Sequence, residues 1–432
     1  MTTQALRTGT NSDAVTSAVC GILFVLILLL SWVSVHPFSS LSDPKLIEVG
    51  DTSDLVNQFA YVTLAGIAAI YFLIDDPSRL RPLLRPTYLA MLAWLLFSVA
   101  TSTDPGLSAR RLIFALMVIL LAAALPLLAT SLKRFGDLTA AVVVAVLALS
   151  YCGLLVVPDL AIHQPTDIVE PTLAGNWRGV FGHKNIAGPM MVNFIFIGLF
   201  VAKARSVALG WSIVAASAIF LVFCEAKSAT TLLPLVLILS WAVMRVRSAL
   251  LCAALVFLPT ILLNVSTIGS LYFDAIRSLN EAILPDPSFT GRNDIWQFAV
   301  DNIRHRPWLG YGFGAFWETP LSVFQSLRDG SQASYASHAH NAFLDLVITV
   351  GIPGLALGLL WTLVLPFRDM LSCKQAGSDL TLTTLFARMW LFGVYTSSFE
   401  SVLFDRGDPH WFTMLVAMFG LRYLSVLRLD RQ

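Results

Sequence analysis

Charged side chains are scarce in this sequence. Asp, Glu, Lys and Arg make up 13% of its 432 residues, about half of the roughly 25% usual in a soluble domain, while 56% are hydrophobic. A soluble globular protein is thereby excluded. An excess of one sign is also missing: 28 Lys plus Arg against 27 Asp plus Glu leave a net charge of +1, with no basic block and no acidic tail. Nucleic acid is excluded as a main partner on that ground. Cysteine is sparse, and Cys20, Cys152, Cys224, Cys252 and Cys373 are scattered mostly inside apolar runs. Neither a disulfide framework nor a CxxC metal pattern can be drawn from them. What is plentiful is aromatic: 28 Phe and 11 Trp suit a polytopic membrane protein anchored at both interfaces.

A helix needs about 20 mostly apolar residues to cross about 30 Å of hydrocarbon. Runs of that kind predict an all-α integral membrane protein with about 12 transmembrane helices, at 14–35, 55–74, 83–101, 109–129, 137–157, 185–202, 206–223, 228–244, 248–267, 342–366, 382–402 and 410–427. The core of the first, GILFVLILLLSWV, is too long for a cleaved signal and lacks a small-residue cleavage site, so it should remain as a membrane helix. Lys and Arg resist export. With a cytoplasmic N-terminus the inner segments hold 15 of them and the short outer loops 7, so both termini are expected inside. The chain then divides into helices 1–9 over residues 1–267, a large outer loop over 268–341, and helices 10–12 over 342–432. A shorter outer loop, 158–184, joins helices 5 and 6. Within the large loop, DIWQFAVDNIRH places Ile295, Ala299 and Ile303 on one face, which predicts a short helix on the membrane surface or packed on the bundle. Its start after Thr290-Gly291-Arg292-Asn293 has cap-forming residue types.

Polar groups near the apolar phase are costly and therefore informative. Arg178 and Lys184 lie in GNWRGVFGHKNIAG. They read either as an interfacial basic pair or as an anion cradle, in which Gly175, Gly179 and Gly182 admit a ligand, Arg178 forks two phosphate oxygens, and Lys184 and Asn185 open a helix with free N–H groups. Arg292, in TGRND, follows the same anion logic or is a bare surface arginine. SHAHNAFLDLVITVGIPG brings His338, His340 and Asn341 to the mouth of the tenth span. The His pair reads as metal ligands, as helix-capping polar residues, or as a catalytic imidazole. No carboxylate or Cys completes a metal site nearby in sequence, so no metal is expected, and the catalytic reading is favoured because imidazole titrates near neutrality. GYGFGAFW, 310–317, lacks the strand and lysine of a nucleotide loop and reads as a flexible aromatic loop able to touch sugar or lipid. Lys227, Arg110 and Arg111 at outer helix ends are snorkelling anchors or second-rank substrate contacts.

Taken in order, WRGVFGHKNIAG before a span, TGRNDIW, IRHRPWLGYGFGAFW and SHAHNAFLDLVITVGIPG resemble the O-antigen ligase and polymerase superfamily. The first motif looks most like exopolysaccharide polymerases of the ExoQ type. The resemblance implies a GT-C-like fold with its large periplasmic loop between helices 9 and 10, and a metal-independent, inverting glycosyltransferase with no cofactor. Its substrate would be a glycan on undecaprenyl pyrophosphate at the outer face of the bacterial inner membrane. Carried over by position, Arg178 and Arg292 would hold the donor pyrophosphate and His340 would be the general base on an acceptor hydroxyl. Many relatives have Ser-Arg where this chain has Ala226-Lys227-Ser228, a departure from the family pattern, so no role is carried over to that position. Polymerisation onto the next lipid-linked repeat is the first reading. Ligation to a lipid A core or a protein is the alternative, and a secondary transporter a third possibility that lacks the expected similarity between halves. A chain-length regulator and a flippase are partners the family suggests.

Overall fold

The structure is a computed structural model that describes residues 5–42, 54–129, 131–168, 170–284, 287, 289, 291–328, 336–376, 379–405 and 407–427. Long apolar runs with few interior glycines form helices because a buried or lipid-facing backbone must bond to itself. The helices are α1 (Ala5–Val33), α2 (Leu55–Asp75), α3 (Pro86–Ala100), α4 (Pro105–Leu128), α5 (Leu132–Val156), α6 (Lys184–Ala204), α7 (Val207–Cys224), α8 (Lys227–Arg245) and α9 (Ala249–Thr267). They continue as α10 (Asp274–Ile283), α11 (Arg292–His305), α12 (Pro320–Arg328), α13 (Ala342–Leu359), α14 (Leu365–Ala376), α15 (Leu380–Thr396) and α16 (Pro409–Leu427). Short polar side chains start several of them: Asp54, Asp104, Ser131, Ser206, Ser248, Asn341 and Asp379 each accept a first-turn N–H.

Every expected span coincides with a helix. Among the described residues, nine helices are long and apolar enough to cross a membrane, or ten if the pair Pro77–Leu83 and Pro86–Ala100, bent by 78°, counts as one broken span. The chain is an integral membrane protein. Helix α15 has 17 residues; it and α16 are nonetheless among the most enclosed, with Trp390, Tyr395, Trp411 and Tyr423 fully buried. They pack with α6 at the centre of the bundle. By contrast α2 and α9 present Ile70, Leu73, Leu258 and Ile261 outward, as lipid-facing helices should. Apart from one isolated bridge between Ile162 and Trp177, the described residues contain no strand.

The break in α13 organises the end of the bundle where residues 307–317 pack. Pro353 has no N–H, so a regular helix would leave the Thr349 carbonyl without its partner. The chain departs from helix at Gly351, with φ 73° and ψ 178°, and the 307–312 segment takes the freed groups. Gly312 N–H donates to Thr349 O and Tyr311 N–H to Ile348 O, each at 2.9 Å, while Ile352 N–H turns to Pro307 O at 2.9 Å. A Cβ on Gly351 would lie 2.1 Å from the Trp308 carbonyl oxygen, so only glycine fits.

Residues 310–317 are consequently not the flexible, ligand-touching loop their composition suggested. Tyr311, Phe313, Phe316 and Trp317 are buried, and Tyr311, Phe316 and Trp317 join Phe298, Ala299, Ala339 and Ile348 in a second small core. Glycines at 310, 312 and 314, all at positive φ, let the segment turn tightly enough to bury its aromatics. Helix α11 packs on α13 through that core, which settles its placement against the bundle. Its N-cap is Gly291 at φ 80° with no side-chain cap, in place of the polar cap that the sequence suggested; Thr290 lies outside the described residues.

Candidate functional site

His340 directly precedes Asn341, the N-cap of α13. Its backbone adopts φ 48°, a left-handed conformation that costs energy for a residue with a Cβ and persists only when neighbours impose it. The neighbours are identifiable. Asn341 caps α13 by accepting from Phe343 and Leu344 N–H, at 3.1 Å each, and its amide donates to Asn264 Oδ1 and Ser398 O. Asp345 accepts the Ala339 N–H at 3.0 Å and the Trp317 indole at 2.6 Å. His338 accepts the His340 N–H on Nδ1 at 3.2 Å, and the two rings stand edge to face with centroids 4.2 Å apart. The turn therefore fixes where the His340 ring points.

The ring points at Glu400, on the segment that follows α15. His340 Nδ1 lies 2.9 Å from Glu400 Oε2, and Arg292 Nη2 donates to Oε1 at 2.7 Å. Arg292 Nη1 also bonds the Phe399 carbonyl. Burial pushes the Glu400 carboxyl up, but the Arg292 charge and the contact with His340 outweigh it and hold it far below the usual carboxylate range. An ionised carboxylate only accepts hydrogen bonds, so the shared proton belongs to His340 Nδ1, and the contact with Glu400 leaves Nε2 unengaged. The side chains of His340, Arg292 and Glu400 keep 23%, 17% and 13% of their surface exposed. The group is sheltered yet reachable.

Arg178 is placed differently. It is fully buried and donates to the carbonyls of Ser39 at 2.8 Å, Gly182 at 3.2 Å and Phe181 at 3.5 Å, while its Nε has no hydrogen-bond partner. The guanidinium clamps the 158–184 loop in this conformation. Beside it, His163 Nδ1 pairs with Asp167 at 3.0 Å and its Nε2 accepts the Lys184 N–H at 3.3 Å. His183 Nδ1 accepts the Asn185 N–H at 3.1 Å, which leaves its Nε2–H to donate to Glu170 at 2.6 Å. Two N–H groups at the start of α6, expected to be free for an anion, are thus already capped by imidazoles. The loop also comes within electrostatic reach of His340, and the bond and charge of His183 do most to hold the Glu170 carboxyl low.

The other candidates spread out. Lys184 Nζ donates to Glu225 O at 3.4 Å. Lys227 and Arg110 are exposed. Arg111 bonds the Gly314 carbonyl and lies 3.7 Å from Glu318, fastening α4 to the aromatic loop. The carboxylate that the HxH pair lacked in sequence is supplied by the fold: His338, His340 and Glu400 each bring a ligand atom within 4.8 Å of the others. A dication there would share Glu400 with the Arg292 guanidinium and meet its like-charge repulsion. Sequence reasoning passed over Glu400, His163, Asp167, Glu170 and His183. An acid ending an apolar run, YTSSFE, was the available signal for Glu400.

The family model described as O-antigen ligase matches residues 191–359, a range that includes Arg292 and His340 and leaves out Arg178 and Glu400. The chain is 26% identical over 192 residues to the exopolysaccharide production protein ExoQ of Rhizobium meliloti, an alignment covering 41% of this chain and 43% of that protein. It is also 26% identical over 396 residues to the O-antigen ligase of Pseudomonas aeruginosa, covering 86% and 85%. The chain therefore spans less than half of the first relative's length and most of the second's. Ordered motifs, a helical membrane bundle and these matches are together consistent with the O-antigen ligase-like superfamily.

Proposed function

We propose that the chain is a glycosyltransferase of the bacterial inner membrane that polymerises polysaccharide from undecaprenyl-pyrophosphate-linked glycan. Both termini are cytoplasmic in this reading and the site opens to the periplasm. The observation that carries it is the chain of contacts from His340 through Glu400 to Arg292. A glycan diphosphate is an activated donor, so the enzyme has two tasks: removing a proton from a weak sugar nucleophile and stabilising charge on the leaving diphosphate. His340 Nε2 takes the acceptor hydroxyl proton as the oxygen attacks the anomeric carbon from the face opposite the leaving group. The bond from that carbon to the diphosphate oxygen breaks, and the lipid diphosphate departs with the electron pair beside Arg292. Attack from the opposite face inverts the configuration, and no metal or cofactor enters the scheme. Arg178 reaches phosphate only by releasing its loop carbonyls; until then it shapes the loop that carries Glu170 and His183.

The similarity to an O-antigen ligase over most of both chains supports a second reading, transfer to a lipid A core or a protein. Donor chemistry is shared, and the acceptor separates the two. The test is incubation of the purified protein with a defined lipid-linked oligosaccharide and no other acceptor, followed by mass analysis. Lipid-linked glycan lengthened by whole repeats, with free lipid diphosphate, supports polymerisation. Turnover that begins only when lipid A core or protein is added supports ligation, and no transfer to any of these acceptors would end the glycosyltransferase reading.

A further inference from the structure

We infer that Glu400 is a positioning residue that holds Arg292 in reserve while the donor is absent and hands it to the donor's diphosphate on binding. This rests on the reading of the site as a glycan transferase and adds to it a coupling between donor and base. The geometry is specific. Glu400 offers one oxygen to each partner, Oε1 to Arg292 and Oε2 to His340, so the guanidinium and the imidazole compete for one negative charge. An arginine fork pairs better with diphosphate oxygens, which offer more acceptors and more charge than a single carboxylate oxygen. When the fork turns to the donor, Glu400 keeps only His340 as a close partner. Its undivided charge then favours proton uptake at Nε2.

The other groups near His340 do not supply that charge. His338 faces it ring to ring and spends Nδ1 on the His340 backbone. Glu170 is engaged by His183, and Asp345 by Trp317 and the Ala339 backbone. The arrangement makes the imidazole a stronger base when a leaving group is in place, so that deprotonation of the acceptor is tied to an occupied donor site.

The coupling makes opposite demands on binding and turnover, and a merely structural role would not produce both. In Glu400→Gln the carboxylate no longer restrains Arg292. Binding of undecaprenyl diphosphate alone should tighten by about 3- to 10-fold, the scale of a lost, partly exposed ion pair, while kcat falls by about 10²- to 10⁴-fold as the imidazole loses its anionic orienter. Glu400→Asp, which keeps the charge, should recover most of kcat and bind the lipid diphosphate as the wild type does. Undecaprenyl diphosphate binding is measured by titration of the purified full chain, and turnover with the lipid-linked oligosaccharide. Weaker or unchanged binding in Glu400→Gln, unchanged kcat, or an Asp variant as slow as the Gln variant would overturn the handover. Wild-type protein that transfers nothing would instead refute the reaction itself, a separate result in the same assay.

Discussion

Replacing Arg292 by lysine keeps a positive charge at the site and removes the fork. Arg292 uses both terminal nitrogens, Nη2 on Glu400 at 2.7 Å and Nη1 on the Phe399 carbonyl, and the same planar pair is what would meet two oxygens of a diphosphate. Lysine has one nitrogen to offer. The loss is therefore about one hydrogen bond to a charged group, roughly 1.5–3 kcal/mol, which corresponds to about a 10- to 150-fold fall in kcat/KM at about 1.36 kcal/mol per decade. Arg292→Gln removes the charge as well and should cost more, about 10²- to 10³-fold in kcat, the scale seen when one preorganised donor to a developing anion is deleted. The assay is transfer from a defined lipid-linked oligosaccharide by purified protein, with rates taken over a range of donor concentrations. Lysine activity within twofold of the wild type would show that charge alone suffices and that the fork has no part in the chemistry.

Other expectations follow from the same contacts. Arg178→Lys cannot satisfy three loop carbonyls from a buried position, so a loss of about 2–4 kcal/mol should appear as a lower melting temperature; unchanged melting with a raised donor KM would put Arg178 on the donor instead. Chelation by EDTA should leave turnover unchanged, and inhibition reversed by a single divalent ion would bring His338, His340 and Glu400 back as ligands. Glu400 has its carboxyl held far below the ordinary glutamate value of 4.5 in the folded protein. Its stabilising contribution is thus complete above that value and fades as the pH falls towards the folded one. The gap in melting temperature between wild type and Glu400→Gln should be widest near about pH 7 and narrow below about pH 4.5. A gap that stays constant down to about pH 3.5 would contradict this assignment.

Much of the architecture could be read from hydropathy because lipid imposes a simple rule: a backbone without water must be helical for about 20 residues at a time. Each expected span overlaps a helix, though among the described residues nine or ten helices, against the twelve expected, are long and apolar enough to cross a membrane. The rule fails where helices are short or bent, as at residues 77–100, where 78° separates two segments. It also fails where apolar residues face another segment of protein. Tyr311 and Phe316 looked like ligand-touching aromatics, yet they fill a small core beside the break at Gly351. Among the site residues, Arg292 and His340 were visible as polar groups at helix mouths. Glu400 was harder to see because its role arises from contacts across 60 and 108 residues of sequence, which no local pattern encodes. The capping of α6 by His163 and His183 was hidden for a similar reason: a helix start that looks open to an anion in sequence is closed by side chains from the preceding loop.

The central claim is that an imidazole removes a proton while a guanidinium receives the diphosphate. His340→Ala tests it most directly when binding and transfer are measured on the same purified protein. The expected result is undecaprenyl diphosphate affinity within about threefold of the wild type, since Arg292 and Glu400 remain, and transfer reduced by about 10²- to 10⁴-fold, the range of a general base. Transfer at the wild-type rate would contradict the claim outright.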